Sequence, residues 1–314
     1  MHLVFFMSLS RPILITGSHR SGTTWLGKSL ALSQELRYVE EPFNLSINKG
    51  RPPLYLKYWF HYISENSPNY APEAFAKAFG LKTAYLKQLA SAQSLKQLYW
   101  ELLHCWELWK QNRRHVRPLI KDPLAFFSAP WIHKQYQAEV IVLTRHPAAY
   151  VSSVLKMNWR HDYKHFLNQP ALIRDYLKPF EEKIIFLSQN EHSAIENAVW
   201  IWNMIAHVTL VFKEQYPNWH FLCYEDLASE PLCSMEKLYN KLGLVFDQRI
   251  AQEIQKTTSE QNDVFKTEVV QHQLFRHSKA LVHAWKHELD EASIARIREL
   301  TSPYSPYFYT DEDW

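Results

Sequence analysis

The chain has 314 residues, 46% hydrophobic and 21% charged, a balance that supports a packed globular core and excludes an intrinsically disordered protein. A net charge of +3, with no dense Lys/Arg run, excludes the electrostatic footprint of a nucleic-acid binder. The cysteines Cys105, Cys223 and Cys233 lack metal-ligand spacing and read as reduced thiols of a cytoplasmic protein.

The chain opens MHLVFFMSLSRP. Its apolar stretch, Leu3 to Leu9, is too short to span a bilayer and lacks a basic leader, so it reads as an edge strand or a poorly ordered tail. No later segment reads as a transmembrane span, and the expectation is a soluble protein. The first confident strand is Pro12–Thr16, followed by a polar loop and a helix over Gly22–Ser33. Gly17 and Gly22 have the spacing of the phosphate loop G-x-x-x-x-G-K-[ST], but Thr23 stands where that pattern has lysine. A cation lies inside the loop instead, at Arg20. The backbone N–H groups and the helix dipole suit an anion, and Ser21, Thr23 and Thr24 add hydroxyl donors. The triplet Gly27-Lys28-Ser29 imitates the missing ending, but it falls inside the helix, where Lys28 reads as a solvated side chain.

Residues 40–117 carry prolines at 42, 52, 53, 68 and 72 and helical stretches near Ala74–Ala90 and Leu95–Gln111, with no strand. They read as a helical insertion over the sheet edge that shapes an acceptor pocket. Strand and helix then alternate again: strand Pro118–Lys121, helix Pro130–Gln137, strand Val140–Thr144, helix Ala148–Lys156. Arg145 stands at a strand end, Pro147 suits a first helical turn, and Ser153 lies two turns further on. His161 and His165 have helical metal spacing but no third ligand, and read as surface or pocket residues. Ser193–Gln215 reads as a core helix, Trp219–Tyr224 as a strand and Pro231–Leu242 as a helix. The alternation predicts one α/β domain over residues 1–314, a three-layer sandwich with a central parallel sheet. The loops after Thr16, Lys121, Thr144 and Tyr224 should then share one crevice.

Two anion grips on neighbouring loops resemble the sulfotransferases that use 3′-phosphoadenosine 5′-phosphosulfate (PAPS), which have a fold like that of the P-loop NTPases. The segment Arg20-Ser21-Gly22-Thr23-Thr24-Trp25 is similar to their 5′-phosphosulfate loop, with His19 in place of the usual proline. Arg145 and Ser153 are similar to their 3′-phosphate element. The resemblance further implies that Trp25 stacks on the adenine, that Tyr224 of Tyr224-Glu225-Asp226-Leu227 lies near it, and that Thr258 and Ser259 line its edge. Lys279, before Trp285-Lys286, resembles a third 3′-phosphate contact, although Ser278 and Ala280 depart from that pattern.

The chemistry so implied is transfer of a sulfuryl group to a hydroxyl of a small molecule, lipid or carbohydrate, with no metal. Charge building on the leaving oxygen needs a cation, a role that falls to Arg20, with Lys121 also placed to contact the sulfonate. A base must take the acceptor proton. The lysine-histidine segment of the cytosolic members is replaced here by Lys121-Asp122-Pro123. The loop arginine instead resembles the branch acting on carbohydrates and protein tyrosines, which implies a glutamate after the first helix. Glu41 is the expected base, with Glu40 and Asp122 behind it; neighbouring carboxylates disfavour each other's ionised form. Two other readings are a P-loop phosphotransferase and a non-catalytic nucleotide-binding protein.

Overall fold

The computed structural model describes residues 11–46, 54, 56–64, 72–79, 116–258 and 282–314. Five parallel strands form its centre: β1 Ile13–Gly17, β2 Leu36–Glu40, β3 Arg117–Lys121, β4 Glu139–Thr144 and β5 His220–Cys223, in the order β2-β3-β1-β4-β5. The sequences of β1, ILITG, and β4, EVIVLT, are nearly unbroken β-branched and leucine runs. That is the pattern of strands covered on both faces. Leu14, Val140 and Val142 point into one core, which includes Tyr150, Val154, Trp202 and Phe212. Ile13, Ile15, Ile141 and Leu143 point into the other, with Leu26 and Leu30 of helix Thr23–Leu30 and Leu238 and Tyr239 of helix Pro231–Lys241. Each such aliphatic side chain contributes roughly 1.5–3 kcal/mol on burial. The helices therefore lie on both faces of the sheet, and the expected three layers are present.

The register brings the carboxyl ends of the strands together. Ile15 lies opposite Lys121 of β3 and Ile141 of β4, Gly17 opposite Leu143, and Glu40 of β2 opposite Lys121. β2 has no counterpart among the predicted strands. Its sequence, LRYVE, is short, and its polar positions masked the alternation. Arg37 is nonetheless buried, with Nη2 donating to the carbonyl of Phe79 at 3.3 Å. The predicted strand Trp219–Tyr224 is shorter in the structure. Its last paired residue is Cys223, opposite Thr144, and Tyr224 opens the helix Tyr224–Ser229.

Within 40–117, residues 56–64 carry no helix or strand and set Phe60 and Ile63 into the first core. Helix Pro72–Ala78 packs Phe75 against Phe43 and Trp131. The predicted helix Leu95–Gln111, most of Ala74–Ala90, and the opening Met1–Ser8 lie outside the described residues. Helix Ala194–Gln215 is capped by Ser193, whose hydroxyl accepts from the N–H of Glu196 at 3.1 Å. By length and composition alone it could cross a membrane, yet 67% of its most apolar window is buried inside the protein, as the reading of a core helix expects.

Candidate active site

The loop between β1 and helix Thr23–Leu30 is shaped by backbone positions that demand particular residues. Gly17 has φ +130, and a Cβ there would lie 2.1 Å from the carbonyl oxygen of Leu143. Gly22 has φ +93, and a Cβ there would lie 2.4 Å from the ring of Tyr224. Only glycine lets β4 and Tyr224 approach so closely. Arg20 also takes a left-handed conformation, φ 63, which is costly for a residue with a side chain. Gly22 is the N-cap of the helix and provides no side-chain cap, so the first-turn N–H groups face the loop. Ser21 is fully buried, and its hydroxyl donates to the carbonyl of Ser18 at 2.5 Å. It braces the loop from within. Thr23 is buried and Thr24 half-buried at the first turn.

The two predicted anion grips are in direct contact. Arg20 Nε donates to Ser153 Oγ at 3.0 Å. Arg145 Nη1 donates to the carbonyl of Arg20 at 2.8 Å, and its guanidinium lies over the ring of Tyr224, 5.1 Å from the centroid. Residues 20, 145, 153 and 224 thus converge from three separate stretches of the chain. Trp25 and Tyr224 both pack against the second core, which includes Ile250 and Ile254 of helix Gln248–Thr258. Thr258 ends that helix, with its hydroxyl donating to the carbonyl of Ile254 at 2.8 Å. Ser259 and Lys279 lie outside the described residues.

A second cluster occupies the ends of β2 and β3. The Lys121 side chain is fully buried, and its Nζ lies 2.5 Å from Glu41 Oε1 and 3.4 Å from Glu40 Oε1. The lack of a side chain at Gly27 makes room for it: a Cβ there would lie 3.2 Å from Lys121 Cγ and 2.9 Å from the Tyr38 ring. Gly27 therefore has a structural task that its place in the false G-K-S triplet did not suggest. Glu41 is held in a left-handed conformation, φ 43, with its N–H donating to the carbonyl of Lys121 at 2.9 Å. Asn44 Nδ2 donates to Glu41 Oε2 at 2.6 Å. Asp122 is fully buried and accepts from the N–H groups of Phe43 at 2.5 Å and Leu124 at 3.0 Å. Burial pushes its carboxyl up to about 7 despite those donors. Its bonds fix the turn that carries Glu41, which is a positioning task.

Sequence reasoning missed the surroundings of Arg20. His19 is buried, with Nε2 3.0 Å from Tyr150 Oη and 3.1 Å from His161 Nε2. Trp159, partly exposed, stacks its ring 5.6 Å from the Arg20 guanidinium carbon. Burial pushes His19 well below the usual imidazole range and His161 down to about 4, so both are neutral near pH 7. His165 accepts instead from the Trp59 N–H at 3.3 Å. The unusual residue at position 19 was the one available signal. Among the described residues, no group of three or more His, Cys, Asp or Glu side chains converges as a metal site.

The loop after β1 with Arg20 inside it, and Arg145 just past β4, meet at the carboxyl edge of the parallel sheet, the edge at which α/β proteins bind their ligands. Residues 12–248 match the sulfotransferase family, and the chain belongs to it. Solved structures similar to the chain include the sulfotransferase domain from the curacin biosynthetic pathway, 17% identical over 93% of this chain and 97% of that one, with a TM-score of 0.48. The sulfotransferase domain of the Synechococcus PCC 7002 olefin synthase is 17% identical over 94% of each chain, with a TM-score of 0.48. Mouse sulfotransferase SULT7A1, complexed with PAP, is 15% identical over 96% of this chain and 86% of that one, with a TM-score of 0.46. No curated protein matches the chain.

Proposed function

We propose that the protein transfers a sulfuryl group from PAPS to a hydroxyl acceptor. The observation that carries this reading is the contact of Arg145 with the Arg20 carbonyl and of Arg20 with Ser153, which joins a 5′-side loop and a 3′-side grip in one crevice. The groups present suit a ligand with two anionic ends. Two guanidinium groups, an uncapped helix N-terminus and glycine-permitted close approach leave positive potential on one side of the loop. PAPS supplies the activated sulfuryl group. Arg20 stabilises negative charge on the departing oxygen, and Arg145 with Ser153 holds the 3′-phosphate. Trp25, Tyr224, Thr258 and Ser259 flank the adenine, and Lys279 adds a further phosphate contact.

Glu41 takes the acceptor proton in this reading. Its carboxylate is half-buried and oriented by Lys121 and Asn44, as a base needs to be. Lys121 holds the Glu41 carboxylate in place by an ion pair and lies beside the sulfonate. Residues 56–64 and helix Pro72–Ala78 border the acceptor side, and their aromatic content suits an acceptor with apolar faces, whether small molecule, lipid or sugar.

The test is thermal unfolding of the protein with 3′-phosphoadenosine 5′-phosphate (PAP) and, separately, with ATP and Mg²⁺. A rise in the midpoint with PAP is expected. Stabilisation by ATP alone overturns the reading in favour of a phosphotransferase. Radiolabelled sulfuryl transfer from PAPS to a panel of phenols, sterols and sugars then identifies the acceptor class.

A further inference from the structure

One peptide group is fixed from both sides at the heart of the 3′ grip. The carbonyl of Arg145 accepts from Trp202 Nε1 at 2.9 Å. The N–H of the same peptide, that of His146, donates to Glu225 Oε1 at 2.9 Å. β4 ends at Thr144, and Pro147, which opens helix Pro147–Lys156, has no N–H. Neither ladder nor helix serves this peptide, so side chains must. The second oxygen of Glu225 accepts from Tyr309 Oη at 3.1 Å.

The same C-terminal segment encloses His146. Its imidazole stacks on Trp285 with centroids 4.9 Å apart and meets Tyr309 and Trp314 edge-on at 4.9 and 4.5 Å. Among the described residues neither ring nitrogen has a hydrogen-bond partner, and the ring serves as packing. Glu288 accepts from Ser152 Oγ and pairs with Lys156, on either side of Ser153. Residues from Trp285 onward thus brace both halves of the grip. They lie beyond the residues 12–248 that match the family.

We propose that Glu225, backed by Tyr309, is a positioning residue that confers 3′-phosphate recognition by aiming Arg145, without touching the ligand itself. This rests on the reading of Arg145 and Ser153 as the 3′-phosphate grip. Loss of the carboxylate frees the 145–146 peptide to rotate, and the guanidinium swings with it. A ligand with only a 5′-phosphate does not use that guanidinium and does not sense the change.

Calorimetric titration with PAP and with adenosine 5′-monophosphate (AMP) tests this. Glu225→Ala should weaken PAP roughly 10-fold or more, the worth of a lost buried hydrogen bond, with AMP affinity unchanged. Glu225→Gln keeps an oxygen for the His146 N–H and removes a negative charge near Arg145, so PAP affinity should return to the native value or above it. Tyr309→Phe should give a smaller, PAP-selective loss. Equal losses for PAP and AMP, or unchanged PAP affinity in both Glu225→Ala and Tyr309→Phe, overturn the proposal. If Glu225→Ala does not fold, Tyr309→Phe decides by the same criterion. The underlying reading fails separately, if Arg145→Glu leaves the PAP-to-AMP preference intact.

Discussion

The two sides of the crevice hold their cations differently. Beside β4, Arg145 donates to a carbonyl and lies over Tyr224, while Arg20 donates to a serine hydroxyl and lies over Trp159. Beside β3, Lys121 is clamped by the carboxylates of Glu41 and Glu40. Arg145 also lies in the electrostatic field of the Glu225 and Glu288 carboxylates, whereas Lys121 is in direct ion pairs with two carboxylates. A cation already matched by carboxylates attracts a further anion far less. On our reading the β4 side serves anion capture, and the β3 side serves to aim a carboxylate.

The sharpest way to break this division is Glu41→Gln. On our reading it lowers kcat by roughly 10²–10⁴, the usual contribution of a general base, while the PAP dissociation constant stays within a few-fold. Turnover kinetics beside calorimetry measure both, and a loss of PAP affinity matching the loss of kcat would erase the distinction. Arg145→Glu should act in the opposite sense. Replacing a charge-assisted donor by a carboxylate should cost PAP affinity about 100-fold, with the unfolding midpoint near that of the native protein.

Gly17→Ala tests whether the loop geometry underlies both sides. Its Cβ would lie 2.1 Å from the Leu143 carbonyl, and a destabilisation of about 3 kcal/mol or more follows from the clash and the positive φ. Urea unfolding measures it; a change below about 0.5 kcal/mol, the scale of a neutral surface substitution, would contradict it. The smallest effect belongs to His146, whose imidazole burial pushes down to about 3. The unfolded chain takes up a proton below pH 6.5 and the folded one does not, so this residue costs stability as pH falls from 6.5 towards 3. His146→Phe should be near neutral at pH 7 and gain about 2 kcal/mol relative to the native protein at pH 5. A relative stability independent of pH would count against a neutral buried ring.

Much of the β4 side was legible because its parts are contiguous. Arg20 to Trp25 form one run, and Arg145 and Ser153 share a strand-helix unit, so the alternation of elements and the family resemblance of these short stretches placed them together. The β3 side was only partly legible. Glu41 was chosen by its distance after the first helix, but β2, which delivers it, escaped detection because Arg37 broke the apolar pattern while being buried. The buttress of Arg145 was not legible at all. Glu225 was visible only as part of the Tyr224-Glu225-Asp226-Leu227 motif, and the other groups of the buttress, Tyr309 on Glu225 and Trp202 on the Arg145 carbonyl, come from distant parts of the chain. Side-chain support of a single peptide leaves no periodicity in sequence. His19 illustrates the same limit: its burial against Tyr150 and His161 arises from tertiary contacts that composition does not reveal.

The placement of β1 at the middle of the sheet has a consequence for how the molecule forms. Ile13 pairs with Leu119 and Glu139, so during synthesis β1 waits for partners made long afterwards. Such distant pairings close slowly, and until they do an apolar strand stays exposed. The cradle that follows β1 cannot take its bound shape until β4 arrives to meet Gly17. A nascent chain released before Thr144 therefore carries the whole loop sequence without the strand that shapes it, and on our reading competence to bind appears late and all at once.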